Sequence, residues 1–274
     1  MQFKNFIFHW RKIKMMEKTV LNLRLADDDL SFVVKMVAQD SKNKERLKQF
    51  IREDPVFRKG LISDEKLFKQ VVKSSPKILK ISPLLFFEVL LRRTIEEMRK
   101  ITHTVERTIS QRIPVFDIKE TLEFLEDEEV FYYLVHLLDS FVAVKKETVS
   151  DVDIDNLIKL GKETTEDYRF DIYKRIADIC LFVLGIFPEY VMQDYDYLYH
   201  DLFFGKKPPI IGELRRNEGD YEVLGREFYR LAARQETAKE TNLTEVLSSF
   251  SQNFNLAKKP LNFISEYYIK IAAV

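Results

Sequence analysis

Glycine is scarce in this chain: seven residues in 274, with Gly60 the only one before Gly161. Glycine supplies the positive φ of tight turns and the close backbone approach of phosphate-binding loops. The first 160 residues therefore lack the material for such loops. The patterns G-x-G-x-x-G, G-x-x-x-x-G-K-[ST] and G-x-S-x-G are absent from the whole chain. Dinucleotide-binding, P-loop and nucleophile-elbow folds lose their usual sequence support. A Gly-poor chain that is 32% charged and 46% hydrophobic instead points to amphipathic helices around a substantial core. The single cysteine, Cys180, excludes an intramolecular disulfide scaffold and a four-Cys zinc site.

Helix punctuation is dense. Ser82-Pro83 places an N-cap before Pro at the first helical position. The run that follows, Leu84 to about Ile109, reads as the longest helix, apolar nearly all round at LLFFEVLL and then seamed by Leu91, Ile95, Met98, Thr102, Val105 and Ile109. Further starts are expected at Ser41, at Ser63 to Glu65 and at Asp117 with Glu120. Others fall at Thr164 or Thr165, Asp220, Asn242 with Glu245, and Pro260. Gly161 reads as a C-cap, and Pro55 and Pro114 read as breaks. The one strand pattern is Thr19–Leu25, where Leu21, Leu23 and Leu25 alternate with polar residues. The expected fold is all-α, about ten helices in one or two packed bundles with at most one short strand.

Formal charge sums to zero, but it is unevenly placed. Residues 1–115 carry 25 Lys and Arg against 14 Asp and Glu. Residues 116–201 carry 8 against 21, and residues 202–274 carry 11 against 9. The division suggests a basic N-terminal helical region, 1–115, joined to an acidic-to-neutral, Tyr-rich helical region, 116–274, within one or two domains. Opposite charge on the two regions favours their docking, within one chain or between copies, in a salt-sensitive way.

The N-terminus sharpens that asymmetry. Phe3, Phe6, Ile7, Trp10 and Ile13 fall at helical spacing, surrounded by Lys4, Arg11, Lys12, Lys14 and Lys18. Such a segment suits packing on the body, a protein partner, nucleic acid or an anionic membrane surface. Lys4, Trp10, Arg11, Lys12 and Lys14 are its candidate contact residues. It lacks the apolar core of a secretory signal, and no run in the chain reaches transmembrane length. A cytoplasmic location is therefore the expectation. Translation from Met15 or Met16 would remove the segment.

Candidate chemistry is sparse. No His-Glu-x-x-His or Glu-x-x-His pattern occurs among the four histidines, so no metal site and no cofactor is expected. Asp196 and His200, four apart, would share a helix face beside Tyr195 and Tyr199; His136 and Asp139 make a second pair, three apart. Asp178 is the only ionisable residue between Ile176 and Phe187, a stretch that reads as buried. A buried carboxylate needs a partner, and Arg175 beside it points to another face. A more distant Arg, Lys or Tyr is implied. Tyrosines gather in the same half, six of 12 between Tyr168 and Tyr199, followed by Tyr221 and Tyr229. Residues 168–232 are therefore where a pocket would form, with Asp178, Tyr195, Asp196, Tyr199, His200 and Tyr229 as its candidate ligand-binding residues. With no catalytic motif, the leading expectation is a non-catalytic protein that binds another protein or itself.

Overall fold

Local chemistry at the helix ends sets the architecture. The computed structural model describes residues 23–73, 80–107, 112–142, 154–188, 191 and 216–269. The described residues are 79% helical, with thirteen helices and one two-stranded sheet, so the protein is all-α. Five helices come first: α1 (Asp27–Val37), α2 (Lys44–Glu53), α3 (Pro55–Ile62), α4 (Glu65–Lys73) and α5 (Pro83–Met98). After the sheet come α6 (Ile118–Glu126), α7 (Glu128–Val142), α8 (Ile154–Glu163) and α9 (Glu166–Ile186). The last four are α10 (Glu218–Ala233), α11 (Glu236–Glu240), α12 (Thr244–Gln252) and α13 (Phe254–Ile264), with a π-helical turn at Ser265–Ile269.

Several caps differ from the sequence expectation. Pro55 opens α3 rather than ending a helix, because Asp54 accepts from Phe57 N at 2.9 Å and caps it. Asn43, not Ser41, caps α2. Gly161 lies inside α8, where it makes room for Tyr173 and Ile172. Asn217 and Asp220 form the reciprocal box that starts α10. Asn242 does not cap α12: it sits at φ 56°, in the left-handed turn before the helix. Pro260 is an interior residue of α13. At Ser82 the expectation holds, since its Oγ accepts from Leu85 N.

The largest difference is between residues 99 and 115. The helix expected to run to Ile109 ends at Met98, and Thr104–Arg107 forms β1, paired antiparallel with β2 (Arg112–Val115). Ile101, Thr102, Thr104 and Val105 are β-branched and favour the pleated backbone over another helical turn. Pro114 does not end an element; it sits exposed in β2, an edge strand that tolerates a missing N–H. The inner face of the hairpin is pinned by buried Lys259, whose Nζ donates to Thr104 Oγ1 at 2.9 Å. The same ammonium meets Glu106 at 3.3 Å and Asp117 at 2.5 Å. Asp117 is thus taken up by Lys259 and by Thr104 Oγ1 at 2.8 Å, and makes no side-chain cap for α6. Of the Thr19–Leu25 pattern, residues 19–22 lie outside the described residues. Leu23 and Leu25 are buried around exposed Arg24, in a stretch that joins no strand among the described residues.

Apolar burial forms two clusters. The smaller gathers Leu25, Leu30, Val33, Ile51, Ile62, Leu67 and Val71 from the first four helices and their approach. The larger is built on α7, α9, α10, α12 and α13. Helix α5 joins them: Leu85 and Val89 face the smaller cluster, Phe87, Leu90 and Leu91 the larger. That accounts for an opening turn apolar on every side. Helix α9 is the axis of the larger cluster. Two glycines let neighbours come close: a Cβ on Gly185 would lie 2.6 Å from Leu261, and one on Gly225 would lie 2.4 Å from the Phe254 ring. A Cβ at either position would force its neighbour to shift, so glycine is favoured at these crossings. Among the described residues no helix is long and apolar enough to cross a membrane.

Candidate functional site

Asp178 lies on α9 with 2% of its surface exposed, in a window that offers no other charged side chain. Its partners come from three directions. Tyr133 of α7 donates to Oδ1 at 2.6 Å, and Tyr229 of α10 donates to the same oxygen at 2.9 Å. Lys174, one turn earlier on α9, donates to Oδ2 at 2.8 Å. Gly225 makes this possible, since the close crossing of α10 on Cys180 brings Tyr229, one turn later, against α9. Phe250 packs on both tyrosine rings, and Lys174 lies over the Tyr133 ring at 5.0 Å.

The electrostatics of this node are those of a lock. Burial, with the adjacent Asp178 charge, pushes both tyrosine hydroxyls well above their usual range. They stay protonated and serve as donors, which suits them to hold a carboxylate and not to act as bases. Charge-assisted bonds of this kind contribute roughly 1.5–3 kcal/mol each. Cys180, fully buried in the same helix, has its thiol pushed up by burial and is a small apolar residue in practice. Arg175 does point elsewhere, with its guanidinium 4.2 Å over Phe141 and 3.4 Å from Ser140 Oγ.

A second buried carboxylate has the same character. Glu88, 0% exposed, sits within the apolar opening of α5. Arg58 of α3 grips it through two nitrogens, at 3.0 and 2.5 Å, and Arg92, one turn on, meets Oε1 at 2.7 Å. Arg58 also donates to Leu23 O, and Arg92 lies 4.5 Å over the Phe131 ring. The triad ties the smaller cluster to the larger one. Beside it, Lys59, Ser63, Arg92, Glu126, Glu128 and Tyr132 help line a cleft of about 60 Å³. Ligand pockets for small molecules run to ~300–1,000 Å³, so this cleft is a seam.

The other flank of α7 carries Tyr132, His136 and Asp139, half-buried and spaced four and three apart. Burial, followed by the Lys174 and Arg58 charges, lowers the His136 pKa to about 4. Burial, followed by the Asp29 charge, raises Asp139 to about 6. Burial thus disfavours the charged form of both side chains. No group of three or more His, Cys, Asp or Glu that could hold a metal occurs among the described residues.

The surface offers a different kind of feature. Thr104 and Glu106 face inward to Lys259, so His103, Val105, Arg112, Pro114 and Phe116 alternate to the outer face of the hairpin. Val105 is 42% exposed and Phe116 75%, and the His103 and Phe116 rings touch at 5.6 Å. Glu120, Glu123 and Asp127, on α6 just after the hairpin, are exposed at helical spacing.

Of the residues singled out in the sequence, Asp178 and Tyr229 are brought together. Tyr195, Asp196, Tyr199, His200, Lys4, Trp10, Arg11, Lys12 and Lys14 lie outside the described residues. Tyr133, Lys174, the Glu88 triad and Lys259 were not anticipated. Two of these had a signal: Lys174 with Asp178 and Glu88 with Arg92 are opposite charges four apart. No known protein family, curated protein or solved structure matches this chain.

Proposed function

We propose that this chain is a non-catalytic helical interaction protein, binding another protein or a second copy of itself. The observation that carries the reading is a division of labour among its side chains. Buried Asp178, Glu88 and Lys259 are each filled by internal partners, whereas Val105 and Phe116 of the hairpin, and Glu120 and Glu123 of the α6 that follows, stand exposed. Single exposed apolar residues are ordinary, but an aromatic 75% exposed on a pinned hairpin beside an acidic helix face is the kind of surface partners use. Of the candidates for the competing reading, a ligand or catalytic pocket across residues 168–232, Asp178 and Tyr229 are held by each other in the core, and Tyr195, Asp196, Tyr199 and His200 lie outside the described residues.

Size-exclusion chromatography with light scattering, together with a pull-down on the full chain, tests the proposal. A dimer, or a stoichiometric partner, is expected. A strict monomer that captures nothing contradicts it.

A further inference from the structure

The exposed face of the hairpin and α6 has two properties at once, and together they select an occupant. Its apolar end is Val105, Pro114 and Phe116, held outward because Lys259 fixes the opposite face of the same strands. Its other end is Glu120, Glu123 and Asp127 along α6, with Lys119 3.7 Å from Glu123 and Arg99 3.7 Å from Glu126; at the hairpin end, exposed Arg112 lies 3.9 Å from Glu266. Past the end of α6, Glu128 and Glu129 add charge, and crowding by Asp127 and Glu245, after burial, raises the Glu129 pKa. Carboxylates gathered this closely favour a cationic neighbour over water alone.

The matching sequence is in the chain itself. Residues 1–18 hold Lys4, Arg11, Lys12, Lys14 and Lys18 against Glu17 alone, interleaved with Phe3, Phe6, Ile7, Trp10 and Ile13. Its apolar residues at helical spacing suit an apolar end, and its cations suit an acidic ridge. We propose that the hairpin–α6 face docks the cationic N-terminal segment, residues 3–18, of a second copy of this chain. This rests on the self-binding form of the proposed function and assigns it a surface. Reciprocal exchange of the two segments closes the pair, as two-fold assemblies do.

Sedimentation velocity on the full chain tests it, at low salt and at ~0.5 M salt, where screening acts within about 3–5 Å. The wild type is expected to dimerise at low salt and to dissociate at high salt. Glu120→Lys with Glu123→Lys should weaken the dimer by ~10-fold or more, and so should Lys12→Glu with Lys14→Glu. Combining the two pairs of substitutions should restore it. All four positions are polar, and the two glutamates are exposed, so circular dichroism should show the same helix content throughout. Phe116→Ser supplies a charge-neutral variant and should weaken the dimer without changing its salt dependence.

A dimer that none of these substitutions weakens overturns the assigned surface while leaving self-association standing. A strict monomer at low salt overturns the assignment too; the wider reading then rests on a different protein partner in the pull-down. Retention of the wild type on acidic vesicles, with no dimer in solution, also overturns it, in favour of a lipid surface for the cationic segment.

Discussion

At the scale of single residues, the interior is held by carboxylates with unusually full partnership. Asp178→Ala strips two buried tyrosine hydroxyls and Lys174 of their acceptor. It should cost about 3–5 kcal/mol in urea unfolding, whereas Tyr229→Phe should cost about 1–2 kcal/mol. Equal, small losses for both would mean that the node holds nothing together. Two titrating residues on α7 pull stability in opposite directions with pH. Asp139 has a raised folded-state pKa near 6, so the folded protein holds its proton more tightly than the unfolded chain does. Its contribution is present below about pH 4 and is lost as pH rises through about 6. Asp139→Asn should therefore stabilise the protein by about 1–2 kcal/mol at pH 7, and the gain should vanish near pH 4. His136 is lowered to about 4, so stability is lost as pH falls from about 6.5 toward 4. His136→Gln should flatten that acid limb of the unfolding profile; an unchanged limb would show that the imidazole is not buried as described.

The legibility of these residues in the sequence was uneven, for a physical reason. Asp178 announced itself because a lone charge in an apolar window must have a partner, and Glu88 carried the same signal inside LLFFEVLL. Which partner it finds depends on tertiary approach. Tyr133 is 45 residues away in sequence and Tyr229 is 51 residues away, so neither could be assigned from spacing. Only the i, i+4 cations, Lys174 and Arg92, were within reach of sequence reasoning.

At the scale of elements, helices were readable and their ends less so. Apolar periodicity and caps such as Ser82 are local, and they carry the all-α class. The hairpin at 104–115 was misread because Thr102, Val105 and Ile109 happen to fall at heptad spacing after Met98. The β-branched residues at 101–105 favour a strand, and its anchor, Lys259, lies 155 residues downstream of Thr104, beyond the reach of local spacing. Lys259→Met should accordingly loosen the hairpin more than the body. Amide exchange at 104–107 and 112–115 should rise by ~10-fold or more while α9 stays protected, the pattern of local opening. Uniform loss of protection would mean that the hairpin and the bundle open as one unit. Close crossings give a further check at this scale. Gly225→Ala forces a methyl group to within 2.4 Å of Phe254, and overpacking of this kind costs about 1–3 kcal/mol. A neutral outcome in thermal unfolding would show that α10 and α13 part easily.

At the scale of the whole molecule, a formal charge of zero conceals the feature that matters. Residues 1–115 and 116–201 are oppositely charged by sequence, and the described body displays the acid on α6 beside an exposed aromatic face. In the proposed reading, the buried ion pairs are structural and partners bind at this surface. Hydrogen–deuterium exchange on the full chain, compared at low and high salt, addresses both halves at once. Low salt should slow exchange in residues 103–107 and 112–123, and leave α7, α9 and α10 around Asp178 unchanged. Salt-insensitive exchange on the hairpin and α6, or a change centred on the Asp178 node, would contradict it.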